Sequence, residues 1–144
     1  MRLWRISEFA SLDGVGGLLA PGRWNRKGRP IVYMAETSAL AMLEVLAGYD
    51  VAETPETFQL LEIDVPDGVT PTEWPAGADH RDTALTADWG DAFLRAGTAA
   101  LARVPSVIAP QSWNWLLNPL HADAALVRLV RAQRWPWDAR LFER

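Results

Sequence analysis

Apolar and polar positions in this chain fall into short runs rather than long helical stripes. Leu3 to Ile6 predicts a first strand, followed by a long loop from Ser7 to Arg29 carrying Gly14, Gly16, Gly17, Gly22 and Gly28. Loops of that length usually have a function of their own. Pro30 to Ala35, with Ile31, Val32 and Tyr33 in succession, predicts a buried strand. A helix follows from Thr37 or Ser38 to Ala47, with either residue as N-cap and Gly48 as its stop. Phe58 to Val65 predicts another strand, closed by the Pro66-Asp67-Gly68 turn. Residues 66–83, rich in proline and polar side chains, predict a surface excursion before a helix at Ala87 to Arg95. Ala99 to Val104 and Val107 to Ala109 predict strands on either side of Pro105-Ser106, Ala125 to Val130 another, and Pro136 to Phe142 a terminal extended segment. Several strands with few helices and no regular βαβ alternation point to the α+β class. With 144 residues and no linker-like stretch, one domain over residues 1–144 is expected.

Composition narrows the chemistry. Apolar residues make up 49% and charged residues 22% of the chain, as in folded globular proteins rather than disordered ones. The net charge of −4 leaves no basic surplus for general nucleic-acid binding. The chain has no cysteine, which excludes disulfides, thiolate metal sites and a cysteine nucleophile. Its two histidines, His80 and His121, are far apart in sequence, and no metal site is expected. Charged residues interrupt the N-terminal MRLWRISEF, and no stretch reaches the ~20 apolar residues of a membrane span. The expected location is therefore cytoplasmic. The glycines of GVGGLL lack the spacing and the strand-to-helix setting of a dinucleotide fingerprint.

The most informative single position is Glu44. Between Thr37 and Gly48 the sequence reads TSALAMLEVLAG, so one charged side chain sits in a helix that is otherwise apolar all round, the pattern of a buried helix. Glu44 shares a flank with Leu40 and Ala47. A carboxylate there needs hydrogen-bonding or cationic partners, and it is either half of a structural ion pair or a functional group. Arg23, in PGRWNRKG, and Arg5, in the first strand, are each suited to a phosphate or to a buried carboxylate. Tyr33 on its strand reads first as core with a hydroxyl in need of an acceptor. Ser106 reads first as a turn residue, since no base is placed for it and G-x-S-x-G is absent. The eight tryptophans are read mainly as core and edge anchors.

Together these residues resemble the RES domain, named for its arginine, glutamate and serine. The matching runs are LWRI, GRWNRKGRPIVYMAETSALAMLEVL, VPSVI, NWLLNPLH and WDARLF, spread through almost the entire chain. The second run is the most specific, with Tyr33 ten positions after Arg23 and Glu44 eleven after Tyr33. The resemblance implies a fold like that of the ADP-ribosyltransferase toxins. It also implies a toxin that acts on NAD as substrate rather than cofactor, paired with an Xre-type helix-turn-helix antitoxin. Carried over by motif, it makes Arg23, Tyr33, Glu44 and Ser106 the active site, with Arg5 as an additional NAD-binding arginine. The stretch from Thr70 to Gly97 matches no motif.

The implied reaction is compatible with this composition. Cleaving the bond between nicotinamide and ribose builds positive charge on the ribose, which a fixed carboxylate stabilises. Neutral nicotinamide leaves without a strong general acid, and arginines suit the diphosphate. Three functions stay open at this point. They are NAD hydrolysis or phosphorolysis, ADP-ribosylation of a protein, and a non-enzymatic binding module that keeps the fold.

Overall fold

A computed structural model describes residues 1–143. Its centre is a seven-stranded mixed sheet made by β1 (Arg2–Ile6), β2 (Val32–Ala35), β3 (Thr57–Asp64), β4 (Thr72–Glu73), β5 (Leu101–Pro105), β6 (Trp113–Leu117) and β7 (Arg128–Pro136). The strands lie in the order β4-β5-β6-β2-β1-β3-β7. Among the described residues only the β4–β5 pair is parallel. The helices are a single turn α1 (Gly16–Leu19), α2 (Ser38–Gly48) and α3 (Thr83–Ala96). This is the α+β architecture read from the sequence.

Alternation along the strands divides the core. On one face Leu3, Val32, Ile63, Leu101 and Leu117 form one apolar cluster. On the other, Ala102, Val104 and Leu116 pack with Phe93 and Leu94 of α3, and Ala35 packs with Leu40 and Ala41 of α2. Tyr33 and Ala35, two apart on β2, share that second face. Tyr33 packs on the α3 cluster and Ala35 belongs to the α2 cluster, so the two helices flank the middle of the sheet.

The helix ends follow from local chemistry. Thr37 Oγ1 accepts from Leu40 N at 3.0 Å at the start of α2. Asp82 Oδ1 accepts from Leu85 N at 3.1 Å at the start of α3, and Gly97 ends α3 in the left-handed region with φ 59°, a conformation that glycine adopts without strain. The Asp82 cap explains why α3 begins four residues before the predicted Ala87.

Other elements differ from expectation for reasons visible in the hydrogen bonding. Val107 to Ala109 is a turn, because Ser106 Oγ accepts the N–H groups of Ile108 and Ala109 that a strand would have used. The strand that pairs with β5 is instead β6, which the sequence reading left unassigned. Residues 125 and 126 belong to a 3₁₀ turn, Ala122–Leu126, and β7 runs on to Pro136. Beyond it, Asp138 Oδ1 caps a 3₁₀ turn at Ala139–Leu141 through Arg140 N, in place of an extended tail. Helix α2 is also less buried than its apolar sequence predicts. Leu40 and Ala41 are buried against the sheet, whereas Leu43 on the outer side is 46% exposed. In a protein this small, α2 has the sheet on one side and solvent on the other.

Candidate active site

The sheet opens where β1 leaves β2. These strands share one register pair, Trp4↔Ala35, whereas β1 pairs with β3 at five positions and β2 with β6 at four. A cleft of about 330 Å³ lies at this divergence, lined among others by Arg5, Arg23, Tyr33, Glu44 and Asn114. Four of the five residues singled out from the sequence thus meet in one cavity. Ser106, 4% exposed, lies behind it and touches Glu44.

Glu44 is held through one oxygen. Ser106 Oγ donates to its Oε1 at 2.7 Å, and Asn114 Nδ2 donates to the same atom at 2.6 Å. Ser106 has its lone pairs occupied by the N–H groups of Ile108 and Ala109, so its single proton points to Glu44. Oε2 has no protein partner among the described residues, and Glu44 lines the cleft. No ion pair to Glu44 occurs among the described residues. The structural ion pair considered from the sequence is replaced by two neutral donors, and the burial expected for an all-apolar helix is partial.

Arg5 bridges the diverging strands. Its Nη1 donates to the Tyr33 carbonyl at 2.8 Å, while its buried Nε has no partner. Burial pushes its pKa down, partly offset by Asp13, yet a guanidinium starts so high that it stays charged. Arg23 Nη1 reaches the His80 carbonyl at a long 3.5 Å, and its side chain faces the cleft with no carboxylate partner among the described residues.

Tyr33 is tied into the wall. Its hydroxyl donates to Asn25 Oδ1 and accepts from Trp24 N at 3.1 Å. Asn25, 1% exposed, turns its Nδ2 to the carbonyls of Ala20 and Arg26. The tyrosine hydroxyl therefore fastens the Arg23 loop to the sheet, and its ring is the part left to the cleft. Burial, with Asp91 adding and the Trp24 N–H and Arg23 opposing, pushes the phenol up from 10.0 to about 12. The neutral phenol is the form the fold favours. Its contribution is complete below pH about 10 and is lost as pH rises toward 12, a gap worth about 2 to 3 kcal/mol. Alkaline unfolding curves should show this loss in the wild type, and Tyr33→Phe should flatten it. A Tyr33→Phe protein with the wild-type alkaline slope would remove the phenol as its source.

The stretch that matched no motif supplies the outer support of the Arg23 loop. Thr86 Oγ1 donates to the Arg23 carbonyl at 2.7 Å, and Asp91 Oδ1 accepts from Arg26 N at 3.0 Å. Trp24 meets Trp74 and Trp89 edge to face, at 5.0 and 5.8 Å between ring centroids. Asn114 was the other site residue not singled out from the sequence. It lies within the quoted NWLLNPLH run, but only the β6 register sets it beside Glu44. Among the described residues no group of three or more acidic or histidine side chains is disposed to hold a metal, and no helix is long and apolar enough to cross a membrane.

The fold and site define an α+β protein whose split sheet holds two arginines and one restrained carboxylate in a single cleft. The RES-domain family model matches residues 2–138, and the chain belongs to the RES-domain family of toxins. It is 40% identical over 146 residues to a protein named Toxin Res from Pseudomonas putida, covering 99% of this chain and 100% of that one. It is 34% identical over 155 residues to the Prs ADP-ribosylating toxin of a Sphingobium species, covering 98% and 96%. Among solved structures, the M. tuberculosis MbcT–MbcA toxin–antitoxin complex contains a chain that superposes with a TM-score of 0.77 at 18% identity, covering 94% of this chain and 84% of that one. That likeness is one of fold.

Proposed function

We propose that this protein is the toxin of a toxin–antitoxin pair and consumes NAD by cleaving its nicotinamide–ribose bond. The observation that carries the reading is the meeting of Arg5, Arg23, Tyr33 and Glu44 around one cleft, with Glu44 anchored through Oε1 alone. As the glycosidic bond breaks, its electron pair leaves with nicotinamide, which becomes neutral, and positive charge develops on the ribose. Oε2 of Glu44 stabilises that charge. Water, phosphate or a protein side chain then completes the reaction at the ribose carbon. Arg23 and Arg5 hold the diphosphate, the Tyr33 ring packs against the nicotinamide–ribose end, and Ser106 serves through Glu44. NAD is a substrate here, and no cofactor is required.

Purified protein incubated with NAD, with and without phosphate, should release nicotinamide, and the accompanying product identifies the acceptor. Absence of release under both conditions, and with cell extract added as a source of protein acceptors, would overturn the proposal. The second reading, transfer of ADP-ribose to a protein, is favoured by the name of the Sphingobium relative. Labelled NAD would then leave label on one extract protein. An antitoxin is the proposed partner, supported by the structural neighbour's being a toxin–antitoxin complex, and its Xre-type helix-turn-helix character rests on the family resemblance alone.

Arg23→Ala should weaken NAD binding by about 1.5 to 3 kcal/mol, the worth of a hydrogen bond to a charged group. Calorimetric titration checks this, and unchanged affinity in a folded variant would assign Arg23 to structure.

A further inference from the structure

Glu44 has two donors on one oxygen, and they differ in kind. Ser106 is buried behind the carboxylate and is held in place by its own turn. Asn114 lines the cleft itself and sits on β6, where its backbone is registered against Ala35 of β2 on one side and Val104 of β5 on the other. A strand paired on both sides gives its side chains little freedom to drift. A carboxylate oxygen has two in-plane lone-pair directions, and Oε1 has two donors, at 2.7 and 2.6 Å. Rotation of Glu44 about its terminal bond would break both contacts at once.

We propose that Asn114 is a positioning residue that acts with Ser106 to saturate Oε1 of Glu44, presenting the ionised Oε2 to the ribose of the substrate. The proposal rests on the reading of Glu44 as the charge-stabilising group and adds a requirement to it. The second donor must be neutral, close and fixed by the sheet. An amide meets all three conditions. A carboxylate at the same place would face Glu44 at hydrogen-bonding distance, and the two would have to share a proton.

Removing the amide by Asn114→Ala should lower kcat by about 10- to 100-fold, up to the lower end of the range for a lost electrostatic donor, since the amide acts through Glu44 rather than on the substrate. KM for NAD should change little, since the diphosphate grip of Arg5 and Arg23 is untouched. Asn114→Asp, nearly the same size, should be most active at low pH, where the shared proton takes the place of the amide donor, and should lose activity as pH rises and that proton leaves. The other charged groups lining the cleft are Arg5 and Arg23, which remain cationic throughout that range. Ser106→Ala combined with Asn114→Ala should cost less than the product of the single effects, because both act through one oxygen.

A readout that does not depend on turnover separates this proposal from the one beneath it. In the wild type, the side-chain amide protons of Asn114 should be drawn downfield in the NMR spectrum by their charged acceptor, and they should move upfield in Glu44→Gln. If they do not move, or if Asn114→Ala and Asn114→Asp keep the wild-type kcat and pH profile, the positioning role is wrong even if Glu44 is essential. If the amide signals respond as expected while Glu44→Gln keeps full turnover, the bond exists but the reading of Glu44 fails. In that case the positioning role falls with it.

Discussion

Glu44→Gln should give a folded protein that still binds NAD but releases nicotinamide about 10²-fold more slowly or worse. The substitution is well matched to the site. The glutamine carbonyl can take the place of Oε1 and accept from Ser106 and Asn114 as the carboxylate does, leaving the amide where Oε2 faced the cleft. What disappears is the negative charge at the ribose. Because Glu44 has no ion pair among the described residues, its neutralisation strands no buried cation, and the loss of about 3 to 5 kcal/mol that follows from breaking a buried salt bridge is not expected. Melting temperature and nicotinamide release measured on one preparation test both halves. Wild-type turnover in a well-folded variant would remove the carboxylate from the mechanism.

Gly90→Ala should damage the protein from a position outside the cleft. In an ordinary helix this change stabilises by up to about 1 kcal/mol. At Gly90 an added Cβ would lie 1.7 Å from the Trp24 carbonyl oxygen and 2.7 Å from its carbonyl carbon, and neither backbone atom can swing aside alone. The clash outweighs the propensity gain. The expected result is a net destabilisation of about 1 to 3 kcal/mol, the usual cost of overpacking. The Arg23 loop should be pushed off α3, and turnover should fall by about 10- to 100-fold as Arg23 loses its place. Gly16→Ala is the control, since a Cβ there meets nothing within 4 Å, and it should leave stability and turnover near those of the wild type. A Gly90→Ala protein as stable and active as wild type would show that the approach of α3 to Trp24 does not hold the site together.

Both predictions depend on arrangements that the sequence conveys unequally. The start of α2 at Thr37 or Ser38, of which Thr37 proves to be the cap, the strands through Leu3, Val32 and Ile63 and the turn after Val65 were legible, because each is written in neighbouring residues: a capping hydroxyl, an alternation, a Pro-Asp-Gly run. The same holds for the isolation of Glu44 in an apolar helix, which marks a carboxylate with special partners. Arg23, Tyr33 and Ser106 were legible in another way, through motif spacing that resembles a family, and the cleft unites Arg23, Tyr33 and Arg5 with Glu44 while Ser106 backs it.

Sequence by itself therefore determined the class of fold, most of the elements and four of the residues that meet at the cleft, Arg5, Arg23, Tyr33 and Glu44. It did not determine what each of them touches. The partners of Glu44 could be read as hydrogen-bonding or cationic groups, and it is the tertiary structure that chooses the first, placing Ser106 and Asn114 on its Oε1. The acceptor that the Tyr33 hydroxyl requires proves to be Asn25, and a stretch without motifs folds into the α3 support that holds Arg23 in position. Local signals fix elements because capping and alternation act within a few residues of the chain. Partners separated by 62 or 70 positions, as Ser106 and Asn114 are from Glu44, are chosen by strand register and packing, which exist only once the whole sheet has formed.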